Sequence, residues 1–181
     1  MTEISLHILD IAQNSIKAGA KLTEISISES TAENMLVVEI SDNGCGMDAD
    51  FLRDVTSPFQ TTRTTRKVGM GLSLFKTAAE LTGGSFSITS QVGGGTTVTA
   101  RFVRDSIDRQ PLGDMAGTMA TLIGGSPNVD FVYRHVIDDR EFYLDTREVR
   151  QLLDGVELTE PDVLVWITGY VQEGLDEIME G

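Results

Sequence analysis

The 181-residue sequence predicts an α/β two-layer sandwich, helices over one face of a mixed sheet, followed from residue 105 by a small α+β extension. Three observations carry this. Stretches of helical hydrophobic period alternate with runs of period two. The strand-like runs come in pairs joined by short turns rich in glycine and asparagine. Apolar residues make up 40% of the chain, enough to bury a core.

The first helix is expected over Glu3–Ala18, where Ile4, Ile8, Ile11, Ala12 and Ser15 fall on one stripe and Gly19 closes it. LTEISISES and MLVVEISD read as strands around a polar turn at 32–34. The glycine-punctuated loop DNGCGM and a short helix over 49–55 follow. TSPFQTTRTTRKVG reads as a loop carrying Arg63, Arg66 and Lys67, and a helix is expected from Met70 to Leu81, stopped by Gly83 and Gly84. SFSITSQ and TTVTARFV pair around Gly93, Gly94 and Gly95. Residues 105–111 read as a linker between a first unit, 1–104, and the extension, 105–181. The extension offers a helix over Leu112–Ile123, strands over Val129–Ile137 and Glu141–Asp145, and a helix over Thr146–Leu153. A last helix follows Thr159, with Pro161 in its first turn and Asp162 at the positive end of its dipole. The apolar pattern Phe131, Tyr133, Phe142, Leu144, Trp166 and Ile167 predicts an ordered extension, with Trp166 and Tyr170 packed in a core or an interface. No internal repeat or low-complexity tract interrupts this order.

The formal net charge of −14 argues against binding to nucleic acid or to an anionic membrane surface. A single cysteine, Cys45, rules out an intrachain disulfide and suits a reducing cytoplasm; its expected role is packing. No apolar run approaches the ~18 residues that a membrane span needs. Met1–Ser5 carries an acid and no basic cluster, so it does not read as a signal peptide.

Chemistry concentrates in the first hundred residues. His7, Asp10, Asn14 and Lys17 are spaced by three, four and three, one polar stripe beside the apolar one. Alone it reads as a solvated helix face. An asparagine also suits Mg²⁺, which takes few protein ligands and keeps water and phosphate oxygens. Asp10 stands one turn earlier, placed for a water or hydroxyl, and Lys17 one turn later, placed for a phosphate. His7 is equally a phosphate contact or an ordinary helix-face residue. Asp42 ends a strand, and Gly44 and Gly46 let backbone approach a flat base. GMGLSL opens a helix with glycines whose free amides suit phosphates. Each signal alone is weak, and the G-x-x-x-x-G-K-[ST] phosphate loop is absent.

In their order and spacing these segments resemble the nucleotide boxes of the GHKL superfamily: gyrase-type topoisomerases, heat-shock-90 chaperones, histidine kinases and mismatch-repair ATPases. DIAQNSIKAGA resembles the N-box, which makes Asn14 the Mg²⁺ ligand and places Lys17 as in the kinases. DNGCGM resembles the first glycine box, making Asp42 the adenine-reading carboxylate and adding Gly44, Gly46 and Met47 to the pocket. SPFQTTR resembles the entry to the ATP lid and contributes Thr62 and Arg63. GMGLSLF resembles the second glycine box, with Gly69, Gly71 and Leu72. GGGTT resembles the last box, in which Thr96 supports the adenine contact. The resemblance spans Leu6 to about Val103 and implies a Bergerat-type fold binding ATP and Mg²⁺.

The nearest likeness is to histidine kinases and anti-sigma kinases. No helical hairpin with a phospho-acceptor histidine stands ahead of the N-box helix in this sequence, nor does the strand that usually precedes it. The lid between Phe59 and Gly69 is short, and Lys67 stands where a glycine is common. Family ATPases and anti-sigma serine kinases carry a glutamate four residues before the Mg²⁺ asparagine. Asp10 holds that place here, which implies a shorter catalytic carboxylate. The expected function is a cytoplasmic Mg-ATP-binding regulator with slow ATPase or serine/threonine kinase activity toward a protein partner. The alternative is a nucleotide sensor without turnover. A DNA-linked ATPase of the mismatch-repair kind fits the acidic surface less well. The acceptor is unnamed by the sequence, and a second copy of the chain is an allowed partner.

Overall fold

Ile25 and Ile27 point one way from the second element of the chain, Glu24 and Ser26 the other, as a half-buried strand requires. A computed structural model describes residues 2–56 and 66–181, with the side chains of 56 and 66–70 excepted. Its elements are α1 (Ile4–Lys17), β1 (Leu22–Ser30), β2 (Met35–Asp42), α2 (Ala49–Thr56), α3 (Arg66–Leu81), β3 (Ser85–Gln91), β4 (Gly95–Val103), α4 (Met115–Gly125), β5 (Asp130–Ile137), β6 (Arg140–Asp145), α5 (Thr146–Leu153) and α6 (Pro161–Glu180).

The six strands form one mixed sheet in the order β3-β4-β2-β1-β5-β6. All neighbours are antiparallel except β1 and β5, which run parallel from Leu22 beside Asp130 to Glu29 beside Ile137. Register lines the apolar side chains into rows across all six strands. One row reads Ile88, Val98, Ile40, Ile25, Tyr133 and Leu144. Helix α1 lies against α3 and α4, and α4 against α6, making a helical layer over this face. The opposite face carries Ser26, Glu39, Thr99 and Ser87, all on one row and none of them buried. This is the α/β two-layer arrangement. Each fully buried aromatic or aliphatic side chain, such as Phe75, Phe102 or Phe131, adds ~1.5–3 kcal/mol of transfer free energy.

The extension therefore shares the sheet and the core of the first hundred residues. The segment expected as a plain linker is fastened as well. Glu3 caps α1 with no side-chain bond; instead the amides of Ile4 and Ser5 donate to the carbonyls of Pro111 and Leu112, at 3.0 and 2.8 Å. Two helix starts differ from the sequence expectation. Helix α3 begins at Arg66, four residues before Met70, because Arg66, Lys67 and Val68 are acceptable in a helix and no cap or proline stops them. Helix α4 begins at Met115, three residues after Leu112, because Asp114 caps it by accepting from the Gly117 amide at 2.8 Å.

Trp166 and Tyr170 are not core residues: they stay 51% and 42% exposed. The buried stripe of α6 runs through Val163, Ile167, Val171, Leu175 and Ile178, and these two lie off it.

Candidate functional site

At the end of β2 the chain leaves the sheet at Asp42, directly across from Thr96 on β4. The Asp42 carboxylate is held from two sides. Ser15 of α1 donates its hydroxyl to Oδ2 at 2.6 Å, and the Gly44 amide donates to Oδ1 at 2.8 Å. These two hydrogen bonds fix the direction of the carboxylate. Thr96 is held in turn by Ser90, whose hydroxyl lies 2.8 Å from its Oγ1 and accepts from the Met47 amide at 2.8 Å.

The loop after Asp42 is tied to both neighbours. The Cys45 amide donates to the Ala18 carbonyl at 2.9 Å, and the Gly93 amide donates to the Cys45 carbonyl at 2.7 Å. Gly46 has φ of +72°, and a Cβ there would overlap the Gln91 carbonyl, so only glycine permits this close crossing of two backbones. Both backbone groups of Cys45 are thus committed, and the residue lines the rim of the adjoining cavity. Cys45 is exposed, which corrects its expected role in packing.

Between α1, the strand ends and this loop lies a cavity of about 430 Å³, large enough for a small organic ligand. Its walls include Asn14, Lys17, Asp42, Gly46, Met47, Leu72 and Thr96, with Ser15, Ile40, Phe51, Ile88 and Val98 among the rest. The fold thus gathers residues from five separated segments into one apolar cleft with few polar groups. Asn14 supplies one of these: its amide Nδ2 is buried with no hydrogen-bond partner among the described residues. An orphaned buried amide of this kind costs stability unless a ligand meets it.

Gly44, Asp10 and Gly71 act from just outside the cavity wall. Gly44 holds Asp42 by its amide and packs on Ala18. Gly71 lies inside α3, where a Cβ would overlap the Asp10 carboxylate; its absence lets α1 and α3 approach at this point. Burial pushes the Asp10 carboxyl above the usual carboxylate range, and the positive charge of Lys17 partly opposes this. Gly69 falls in the first turn of α3. Because α3 starts at Arg66, Gly71 is within the helix, and its amide is not one of the free groups at the helix start that the sequence suggested. Thr62 and Arg63 lie outside the described residues.

His7 belongs to the packing between α1, α3 and the 105–111 segment. Its ring stacks on Phe75 at 5.1 Å, and Nε2 lies 3.0 Å from Gln110 Oε1. Burial lowers its pKa, so it stays neutral. The residue that sequence reasoning passed over is Ser15. Its place on the apolar stripe marked it as a packing residue, and only its position four residues below Ile11 and one after Asn14 hinted at a second duty.

Comparison with known proteins bears on this cleft. Residues 2–106 match the model of a family described as histidine kinase-, DNA gyrase B-, and HSP90-like ATPase. An uncharacterized sensor-like histidine kinase of Rhizobium meliloti is 34% identical over 104 residues, covering 55% of this chain and 20% of that protein. The histidine protein kinase DivJ of Caulobacter vibrioides is 28% identical over 98 residues, covering 52% of this chain and 16% of its own. The chain thus spans at most a fifth of the length of these relatives. Among solved structures, the ATPase domain of Aquifex aeolicus MutL complexed with ADP superposes with a TM-score of 0.53 at 13% identity, over 80% of this chain and 63% of that one. The N-terminal domain of a DNA repair protein gives a TM-score of 0.55 at 16% identity, again over 80% of this chain, and covers 53% of its own. At such identities the likeness is one of fold, and it reaches beyond the residues of the family match.

Proposed function

We propose, from the premise that this chain belongs to the histidine kinase-, DNA gyrase B-, and HSP90-like ATPase family, that it is a cytoplasmic regulator that binds Mg-ATP in this cleft and acts slowly on it. The turnover is hydrolysis, or transfer to a serine or threonine of a protein partner. The observation that carries the proposal is the Asp42 carboxylate, oriented by Ser15 and Gly44 on the wall of the 430 Å³ cavity. A carboxylate so held is an acceptor for an exocyclic amine such as that of adenine. A guanine carbonyl at the same place would meet it with repulsion.

The groups present also fit a divalent cation. Among the described residues no three His, Cys, Asp or Glu side chains cluster as a protein-built metal cage. Mg²⁺ would instead be held by Asn14 and supply charge neutralisation at the phosphates. Lys17 adds a positive charge from the same helix. Asp10, with its carboxyl pushed up by burial, is suited to orient an incoming hydroxyl and accept its proton. The mostly apolar walls of the cleft would shed water once a base fills it.

Incubating the pure protein with γ-labelled ATP separates the readings. Free phosphate marks an ATPase, and label on a serine or threonine marks a kinase. Bound but unchanged ATP leaves the second reading, a nucleotide sensor without significant turnover. Label stable only as phosphohistidine would contradict the role given to Asp10. Binding itself is read from thermal stability: ADP or ATP at a hundredfold excess over Kd should add ~2.7 kcal/mol. In Asp42→Asn that gain should largely vanish, and an undiminished gain would put the nucleotide elsewhere.

A further inference from the structure

One surface is unused by the cleft. On α6 the positions Asp162, Trp166, Gly169, Tyr170, Glu173 and Glu177 recur at intervals of three and four, so they share one side of the helix. All six are exposed. Trp166 and Tyr170 stack with ring centroids 5.2 Å apart and planes 14° from parallel, and Tyr170 leans on Phe142 of β6 at 5.4 Å. The aromatic pair is therefore a fixed platform on the surface.

Two features of this helix have no account within the chain. Gly169 is in the middle of α6, yet a Cβ there would meet nothing within 4 Å. A glycine in an exposed helix interior weakens the helix, and no neighbour among the described residues needs the space. The charges are also one-sided. Residues 154–181 contain eight acids and no Lys or Arg, so this stretch alone contributes −8 of the net −14. Some of these acids sit in the last turn of α6, where they oppose the helix dipole; the helix has no basic residue of its own there, and Arg140 of β6 donates to the Ile178 carbonyl at 2.6 Å.

We propose that this face is a docking site for a basic amphipathic helix of a partner protein. The helix would lay apolar side chains over Gly169, where the missing side chain permits close approach. Its Lys or Arg would meet the flanking acids and the open faces of Trp166 and Tyr170. Charge selects this occupant. A second copy of the chain would set acid against acid across a two-fold contact, and an anionic lipid surface would be repelled. The site does not depend on what the cleft binds.

The chain has one tryptophan, so Trp166 emission reports on this face directly. The probe is a Leu/Lys peptide whose leucines share one helical face, with a scrambled peptide of the same composition as control. The patterned peptide should shift the emission to the blue and bind at least roughly tenfold more tightly than the scramble, with affinity falling as salt rises. Gly169→Gln should weaken binding at least roughly tenfold, read by anisotropy of the labelled peptide, while the melting temperature holds or rises. Trp166→Ala with Tyr170→Ala should weaken it comparably. Equal binding of patterned and scrambled peptides, or of parent and Gly169→Gln, would overturn the proposal. So would concentration-dependent dimerisation that Gly169→Gln abolishes, or the same emission shift with vesicles of anionic lipid.

Discussion

Asp10 is a half-buried carboxylate with no hydrogen bond to another described residue, and this has two measurable sides. Its folded pKa is raised, so the protonated form is the one the fold prefers. Its contribution to stability is fully present below the ordinary aspartate value and is lost as pH rises through the higher folded value. At neutral pH the ionised group therefore costs stability. Asp10→Asn should raise the unfolding free energy at pH 7, with the gain shrinking as the comparison is moved into acid. Turnover of ATP in the same variant should fall at least roughly tenfold with nucleotide affinity kept within a few-fold, as for a group acting mainly in the transition state. Loss of affinity in parallel would make Asp10 a binding residue. Gly71→Ala tests the packing behind it: the new methyl displaces the Asp10 carboxylate, while alanine favours the helix by up to ~1 kcal/mol over glycine. Slower turnover of ATP, on the function proposed above, at equal or greater stability is the expected result. At this scale the sequence named Asp10, Asn14 and Asp42 through their spacing, but Ser15, Cys45 and His7 were illegible. Whether a hydroxyl on an apolar stripe packs or reaches across to a strand end depends on what folds beside it.

Elements were legible where period and punctuation agreed. All six strands, β1 to β6, lie within a residue of the predicted runs, because alternation and turn residues mark both ends. Two helix starts were not, since Arg66 to Gly69 carry no cap and the Asp114 cap stands after a leucine that only looks helical. One seam between elements is polar inside the core. His135 on β5, with no exposed surface, places Nδ1 2.8 Å from the Tyr133 hydroxyl and Nε2 3.4 Å from Glu29 on β1. The bond to His135 is the largest cause holding the Glu29 carboxyl below its usual range, with Arg104 adding to it. A depressed acid stabilises the fold above its unfolded value, and that contribution is lost as pH falls through the folded one. Glu29→Gln should thus cost on the order of 1 kcal/mol near neutrality and make the acid limb of the stability curve shallower. Denaturant titrations at several pH values read both effects, and an unchanged limb would remove Glu29 from acid sensitivity.

All strands among the described residues join in one sheet, and no sequence pattern announced that β5 would lie beside β1. Alternation identifies a strand and its inner face; the choice of neighbour depends on residues about a hundred positions away. The boundary at 105 followed composition, whereas the core rows run straight across it from Ile25 to Tyr133 and Leu144. A chain cut after Val103 should accordingly be insoluble or molten, with near-UV circular dichroism lost and dye binding gained. A shortened chain with a sharp thermal transition would show instead that the first hundred residues are self-sufficient. The same parallel seam bears on time as well as on strength. During synthesis β1 and β2 can pair as a hairpin within seconds of leaving the ribosome, but the free edge of β1 has to wait for β5. At ~5–20 residues per second the wait is several seconds or longer, during which an apolar strand edge is open to other chains. Closing so distant a contact is also slow in refolding, so yield from denaturant should fall steeply with protein concentration, and nascent chains stalled before Ile137 should be the ones that chaperones hold.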